Sequence, residues 1–246
     1  MNRNEFFQAL PVTKLLLRLT SATLEICTDD IEDIHIMVSG SKTDVDALRI
    51  ASSADGLTVE QPVSALAKSA KAPDSWLQIA IRLPRSWKGA IDARTVTGWM
   101  NIRSVAGTDM SLDTVSGMLM VNDVSFLTLS ARAVTGSVKL EQVSAGKCSL
   151  FSTSGSLTAH ASSVKEGSAN TVTGQIVLAL TAPFETLSLN SVTGDLRVDA
   201  PMSECNALLR SVSGRIHTSG VSILEGAPRL SATTVSSDMD LTCTIE

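Results

Sequence analysis

The residues of this chain most able to do chemistry are hydroxyls, and their spacing is nearly fixed. A phrase of hydroxyl, valine, hydroxyl and glycine recurs as Thr95-Val96-Thr97-Gly98, Thr114-Val115-Ser116-Gly117, Ala133-Val134-Thr135-Gly136 and Ser152-Thr153-Ser154-Gly155. It continues as Thr171-Val172-Thr173-Gly174, Ser191-Val192-Thr193-Gly194, Ser211-Val212-Ser213-Gly214 and a decayed Thr234-Val235-Ser236-Ser237. A regular file of hydroxyls suggests either a ligand-binding array or nucleophiles. Stacked Ser and Thr also suit a pleated corner, where they satisfy each other and nearby backbone groups, and that structural reading is the stronger. Because the repeat demands these serines, no single one stands out as a nucleophile.

Other chemistry is sparse. The histidines His35, His160 and His217 fall in separate segments, with no cysteine or second histidine at metal-ligand spacing. Counting from each repeat glycine as zero, the minus-four column reads Arg94, Asp113, Arg132, Phe151, Asn170, Asn190, Arg210, Thr233. An Arg–Asp–Arg run of that kind is charge complementarity between neighbours rather than an acid–base pair. No phosphate-cradling loop or dinucleotide fingerprint is present. Catalytic residues, cofactors and metals are therefore not expected.

The elements behind the phrase explain its spacing. From Gly98 to Gly214 the glycines step by 19, 19, 19, 19, 20 and 20 residues, and Ser237 follows 23 later. Apolar residues recur two and four positions after each glycine, as in Leu119 and Val121 or Leu196 and Val198, and again at minus seven and minus five. Such alternation marks short strands with one buried face. The valine at minus two implies a bend between minus five and minus two. Each unit then supplies two short strands meeting at a corner, followed by a loop.

A coil of about 19 residues cannot bury its own apolar side, so it must rest on its neighbours, with equivalent residues about 4.8 Å apart. The expected fold is all-β: a single-chain β-solenoid, right-handed by the crossover rule, of about eight rungs. Gly98, Gly117, Gly136, Gly155, Gly174, Gly194 and Gly214 are its structural repeat glycines. Residues 91–246 form the solenoid and 1–90 a β-rich cap continuous with it. Within the cap, residues 15–28, 33–39, 48–60 (turned at Asp55-Gly56) and 76–83 read as strands, 61–74 as a polar link, and 4–10 as a helical turn capped by Asn4. The final strand, 239–245, reads as the uncovered edge, with Asp238 and Asp240 discouraging edge-to-edge pairing.

Outward positions of the first rungs are apolar at Trp99, Met118 and Met120, then give way to Asp195, Arg197, Arg215 and Asp238. That patch is a candidate interface or, in the preferred reading, a surface buried beneath the cap. Net charge is −5 with no basic run, which argues against nucleic acid. No stretch approaches the roughly 20 apolar residues of a membrane span. The opening segment lacks a signal-peptide core, and the cysteines Cys27, Cys148, Cys205 and Cys243 are widely spaced; a reducing cytoplasm is the expected address.

The serial phrase Ser191-Val192-Thr193-Gly194-Asp195-Leu196-Arg197-Val198 resembles the putative-adhesin family of β-strand-repeat proteins, bacterial domains of unknown function, over residues 12–246. The apolar, acidic opening around Leu24-Glu25-Ile26 and Ile34-His35-Ile36, and the strand ending near Leu83-Pro84, are similar to that family as well. The resemblance implies a non-enzymatic scaffold with surface exposure and an envelope or stress role, and it supplies no catalytic residues. The expected partner is an unidentified protein, or another copy meeting the solenoid ends. Alternatives are a homopolymerising scaffold similar to bactofilins and a polysaccharide-active β-helix enzyme.

Overall fold

The columns of the repeat become strands, and each strand pairs in parallel with its counterpart in the next rung. The computed structural model describes residues 1–9, 12–54, 56–62, 76–202, 204–220 and 227–243. The N-terminal strands are β1 (Asn2–Gln8), β2 (Lys14–Arg18), β3 (Thr23–Asp29), β4 (Asp33–Gly40), β5 (Arg49–Ser52), β6 (Gly56–Glu60) and β7 (Leu77–Pro84), with helix α1 (Lys42–Ala47) between β4 and β5. The repeats give β8 (Ala90–Thr97), β9 (Met100–Arg103), β10 (Ala106–Ser116), β11 (Leu119–Thr135), β12 (Val138–Ser154), β13 (Leu157–Thr173), β14 (Ile176–Leu180) and β15 (Thr186–Thr193). The last are β16 (Leu196–Ala200), β17 (Asn206–Ser211), β18 (Ile216–Ser219), β19 (Arg229–Thr234) and β20 (Met239–Cys243).

The fold is a β-solenoid. Along one side the strands stack as β5, β6, β2, β8, β10, β11, β12, β13, β15, β19 and β17. The other side runs β1, β4, β7, β3, β9, β11, β12, β13, β14, β16, β20 and β18. The predicted inward columns fill the space between: Leu112, Ala131, Leu150, Leu119, Val121 and Leu140 are all buried. Parallel pairs buried in this way need neighbours on both edges, so the rungs stabilise one another and not themselves.

Several features depart from the sequence reading. In the central rungs the expected loop is itself strand: β11, β12 and β13 each run 17 residues around two corners. Ser104, Asp123, Gln142 and Ala161 make the first of these corners with φ of 54°, 52°, 52° and 48°. The added third side buries Val105, Val124, Phe126, Val143 and Val164. These rungs are therefore three-sided. One rung later residues 181–185 replace that side, and Phe184 plugs the core there.

Rung order at the C-terminal end is also inverted. β19 lies between β15 and β17, and β20 lies between β16 and β18. The strand expected to end the stack is therefore internal, and the rung carrying Gly214 is outermost. The 23-residue step before Ser237 supplies the extra chain needed to return across the end. The N-terminal end has the same inversion, because β6 and β7 lie outside β2 and β3, which in turn touch β8 and β9.

The opening segment is a strand rather than a helical turn. β1 pairs antiparallel with β4 along its whole length, leaning Arg3, Glu5 and Phe7 toward the protein. Seven residues carry too little helical hydrogen bonding to compete with a waiting sheet edge. The expected strand 15–28 is split into β2 and β3 at a corner over 19–22, where Ala22 meets Gly98. Helix α1 is capped by Ser41, whose hydroxyl accepts from the Asp44 backbone N–H at 3.3 Å. Most of the link 61–74, the turn residue Asp55 and the final residues 244–246 lie outside the described residues.

Candidate interaction surface

The corner built by the repeated phrase shapes the most distinctive surface of the molecule. A Cβ on Gly117 would strike the carbonyl oxygen of Gly98, and the same contact recurs from Gly136 to Gly117, Gly155 to Gly136, Gly174 to Gly155, and Gly194 to Gly174. These glycines stand in one file because the backbones approach too closely for a side chain. Gly98 has a second reason, since its φ of +130° lies where L side chains are strained. Gly214 completes the file beyond Ser237.

The hydroxyls divide into two tasks. Those at minus three point inward: Thr95, Thr114, Ser152, Thr171, Ser191 and Thr234 are buried. Ser152 donates to the Gly136 carbonyl at 3.0 Å, and Thr95 to that of Thr97 at 2.9 Å. The Thr114 and Ser191 hydroxyls are buried without such a partner. Those at minus one tie rungs together. Thr135 donates to the Val115 carbonyl at 3.1 Å, Thr193 to Val172 at 3.3 Å and Thr97 to Thr20 at 3.2 Å. The hydroxyls of Thr95, Thr97, Thr135, Ser152 and Thr193 are thus spent on the backbone they staple, and those of Thr114 and Ser191 are not.

The valines at minus two face solvent, which corrects the bend expected between minus five and minus two. Alternation runs unbroken to the buried residue at minus three, and the break falls across minus two to the glycine. The period-two alternation of minus seven and minus five continues to minus three, so Thr, Ser or Ala there goes in and the valine beside it goes out. Val96, Val115, Val134, Val172 and Val192 are each close to half exposed and form an apolar ridge along the stack.

Beside the first rungs this ridge gains Trp99, which is 61% exposed, and the half-buried Met118 and Met120. The N-terminal strands extend the stack in line with these rungs and do not roof over Trp99. On the other flank of the valines a groove of about 680 Å³ runs across five repeat rungs, from Arg94 to Asn170, and reaches Leu19. Arg94, Asp113, Arg132 and Phe151 form one wall; Val96, Val115 and Val134 form the other. Arg94 sits 3.3 Å from Asp113 and 3.5 Å from Asp92. Arg132 forms no ion pair among the described residues, leaving its guanidinium free beside the apolar wall. Trp, Met and Arg are residue types enriched where proteins recognise partners.

The titratable groups do not assemble reaction chemistry at this surface. Arg18 grips Asp92 through two hydrogen bonds of 2.9 and 2.8 Å, holding the carboxyl below its usual range, with Arg94 and Lys14 adding to the effect. A general acid needs the opposite shift. Burial pushes the Cys148 thiol up to about 12 and that of Cys205 to about 11, removing their nucleophilic character at neutral pH. Among the described residues no group of three or more His, Cys, Asp or Glu is placed to hold a metal ion. His35 stacks on Phe6 with ring centroids 4.2 Å apart, while His160 and His217 lie on different rungs.

A stack of glycine-cornered coils, with a ridge of exposed valines along one edge, defines the class: a β-solenoid repeat protein. The chain belongs to the Toastrack DUF4097 family, whose profile matches residues 12–241. No curated protein matches it. The crystal structure of a putative lipid binding protein from Parabacteroides distasonis ATCC 8503 is similar, with TM-score 0.66, 15% identity and coverage of 98% of this chain and 96% of that one. A putative adhesin from the same organism has TM-score 0.64 and 12% identity, covering 98% and 97% of the two chains. Another putative adhesin, from Bacteroides fragilis NCTC 9343, has TM-score 0.59 and 14% identity, with 98% and 97% covered. At these identities the likeness is one of fold. No helix among the described residues is long and apolar enough to cross a membrane.

Proposed function

We propose that this β-solenoid is a non-enzymatic, adhesin-like scaffold that binds a protein partner along the valine ridge of its first rungs. The observation that carries this reading is Trp99, 61% exposed and continuous with Val96, Val115 and Met118 on a rigid corner. A large side chain fixed on a stiff edge loses little entropy on binding, which makes it an effective anchor. Arg132 adds a cation for an acidic group on the partner. The similar folds described as putative adhesins support a recognition role over a catalytic one. Asp113 is the one carboxylate lining the groove among the described residues, and it pairs with Arg94, which weighs against polysaccharide hydrolysis by a pair of carboxyl groups there. The four unpaired thiols fit a reducing compartment, so the proposed address is the cytoplasm, with any envelope or stress role reached through the partner.

The test is affinity capture from the native cell with the wild-type chain and the Trp99→Arg variant, each checked for its β-sheet circular dichroism and melting temperature. A variant that folds as the wild type but loses its captured protein supports the ridge as the interface. An unchanged captured set, or a variant that fails to fold, removes the proposal.

A further inference from the structure

The two ends of the stack are finished differently. At the N-terminal end the outermost strands are β1 and β5. On β1 the inward-leaning residues include Arg3 and Glu5, which pair with each other, while Arg3 also donates to the Leu48 carbonyl at 2.9 Å. Helix α1 and the turn after it bury Val45 and Leu48 there. Inward-leaning charges on an edge strand are a standard protection against further pairing.

The C-terminal end has no such device among the described residues. β17 and β18 are each paired on one edge only, with β19 and β20. Their inward columns are open: Ile216 is 44% exposed, whereas its neighbour one rung back, Met239, is 3% exposed. Leu208 and Val212 are 51% and 83% exposed. Glu204 and Arg210 are exposed and form no ion pair among the described residues. Arg210 shares the outer side of β17 with Leu208, and the exposed Glu204 beside the buried Cys205 continues the same alternation just before the strand.

We propose that two copies of this chain join at this end about a two-fold axis, with β17 antiparallel to β17 of the second copy and centred on Ala207. A two-fold axis lying across the end reverses strand direction, so antiparallel pairing follows from the symmetry. In that register Glu204 and Arg210 of one copy lie opposite Arg210 and Glu204 of the other, and Ala207 and Leu209 gain the cover that their column has elsewhere in the stack. β18 meets its own counterpart in the same sense. Because the other end is protected, association stops at two and no filament grows. This inference does not rest on the Trp99 ridge, which lies on a lateral edge of the first rungs.

The test is sedimentation velocity of the full chain from low micromolar to near-millimolar concentration. The expected result is a monomer–dimer equilibrium without larger species. Glu204→Arg and Arg210→Glu each raise the dissociation constant about tenfold, the double variant restores it, and Trp99→Arg leaves it unchanged. A monomer at every concentration, a ladder of higher oligomers, single variants without effect, or a well-folded double variant that stays monomeric would each overturn the proposal.

Discussion

Gly214 rests on Ser237 and not on Gly194, the repeat glycine that precedes it in the chain. A Cβ on Gly214 would stand 2.6 Å from the Ser237 carbonyl carbon, while the Gly194 N–H donates to the Ser237 hydroxyl at 3.0 Å. Ser237 thus lies between the two glycines. Amide protection should accordingly rank against chain order, with the strands of 206–219 exchanging faster than those of 229–243. Hydrogen exchange read by mass spectrometry checks this; equal or greater protection of 206–219 in monomeric protein contradicts the observed rung order.

The two members of the Thr97-Gly98 pair should respond very differently to valine. Thr97→Val loses one hydroxyl bond to the Thr20 carbonyl and should cost about 1 kcal/mol. Gly98→Val forces a side chain onto the Ala22 carbonyl at an unfavourable φ and should cost more than about 3 kcal/mol. Urea unfolding of both variants gives the comparison.

Gln142 is exposed and holds a φ of 52°, a conformation that glycine adopts without strain. Gln142→Gly should stabilise the fold by about 0.5 kcal/mol, the relief of backbone strain outweighing the added freedom of the unfolded chain. Chemical denaturation midpoints measure the gain.

Asp92 carries a pH signature. Its carboxyl is depressed in the folded state by Arg18, so its contribution is complete above the ordinary unfolded value of about 3.9 and is lost as pH falls through the folded value. Asp92→Asn should cost about 1 kcal/mol at pH 7, and the difference from wild type should vanish in strong acid. Thermal melts across that range decide it.

The cysteines act in the opposite pH direction. Burial raises Cys148 to about 12, so in the native protein at pH 8 it should resist alkylation that proceeds once the chain unfolds. The folded state keeps its proton where the unfolded thiol has lost it. Stability conferred by this group is therefore full below the unfolded value of about 8.5 and declines as pH rises above it. Peptide mapping after iodoacetamide treatment reports site by site.

Much of this architecture is legible because the columns repeat. Leu119, Val138 and Leu157 announce one buried column, and the glycines announce the corner. The third side of the rungs is not legible, because residues such as Ser125-Phe126 and Ser144-Ala145 share no phrase and their corners use Asp123 and Gln142 where a turn normally advertises glycine. Helix α1 escapes sequence reasoning although Ser41 and Asp44 hold cap spacing, because its six residues are too few for periodicity to show. Valine at minus two misleads for a different reason. It is apolar, but strand alternation carried on from minus five, and not hydropathy, decides that the minus-three residue turns inward. The preferred reading of Trp99 as covered by the cap fails similarly, since composition tells nothing of whether a cap lies over a neighbour or in line with it.

Both termini of the stack fold back past their nearest rung, while every coil from Gly98 to Gly194 is laid down in chain order. Tandem duplication of one interior unit would lengthen the rod and leave each doubled-back end intact, whereas copying a terminal unit would demand a new crossing of the chain. Growth and shrinkage of such a gene are therefore easiest at its middle, and the extremities are inherited as fixed pieces.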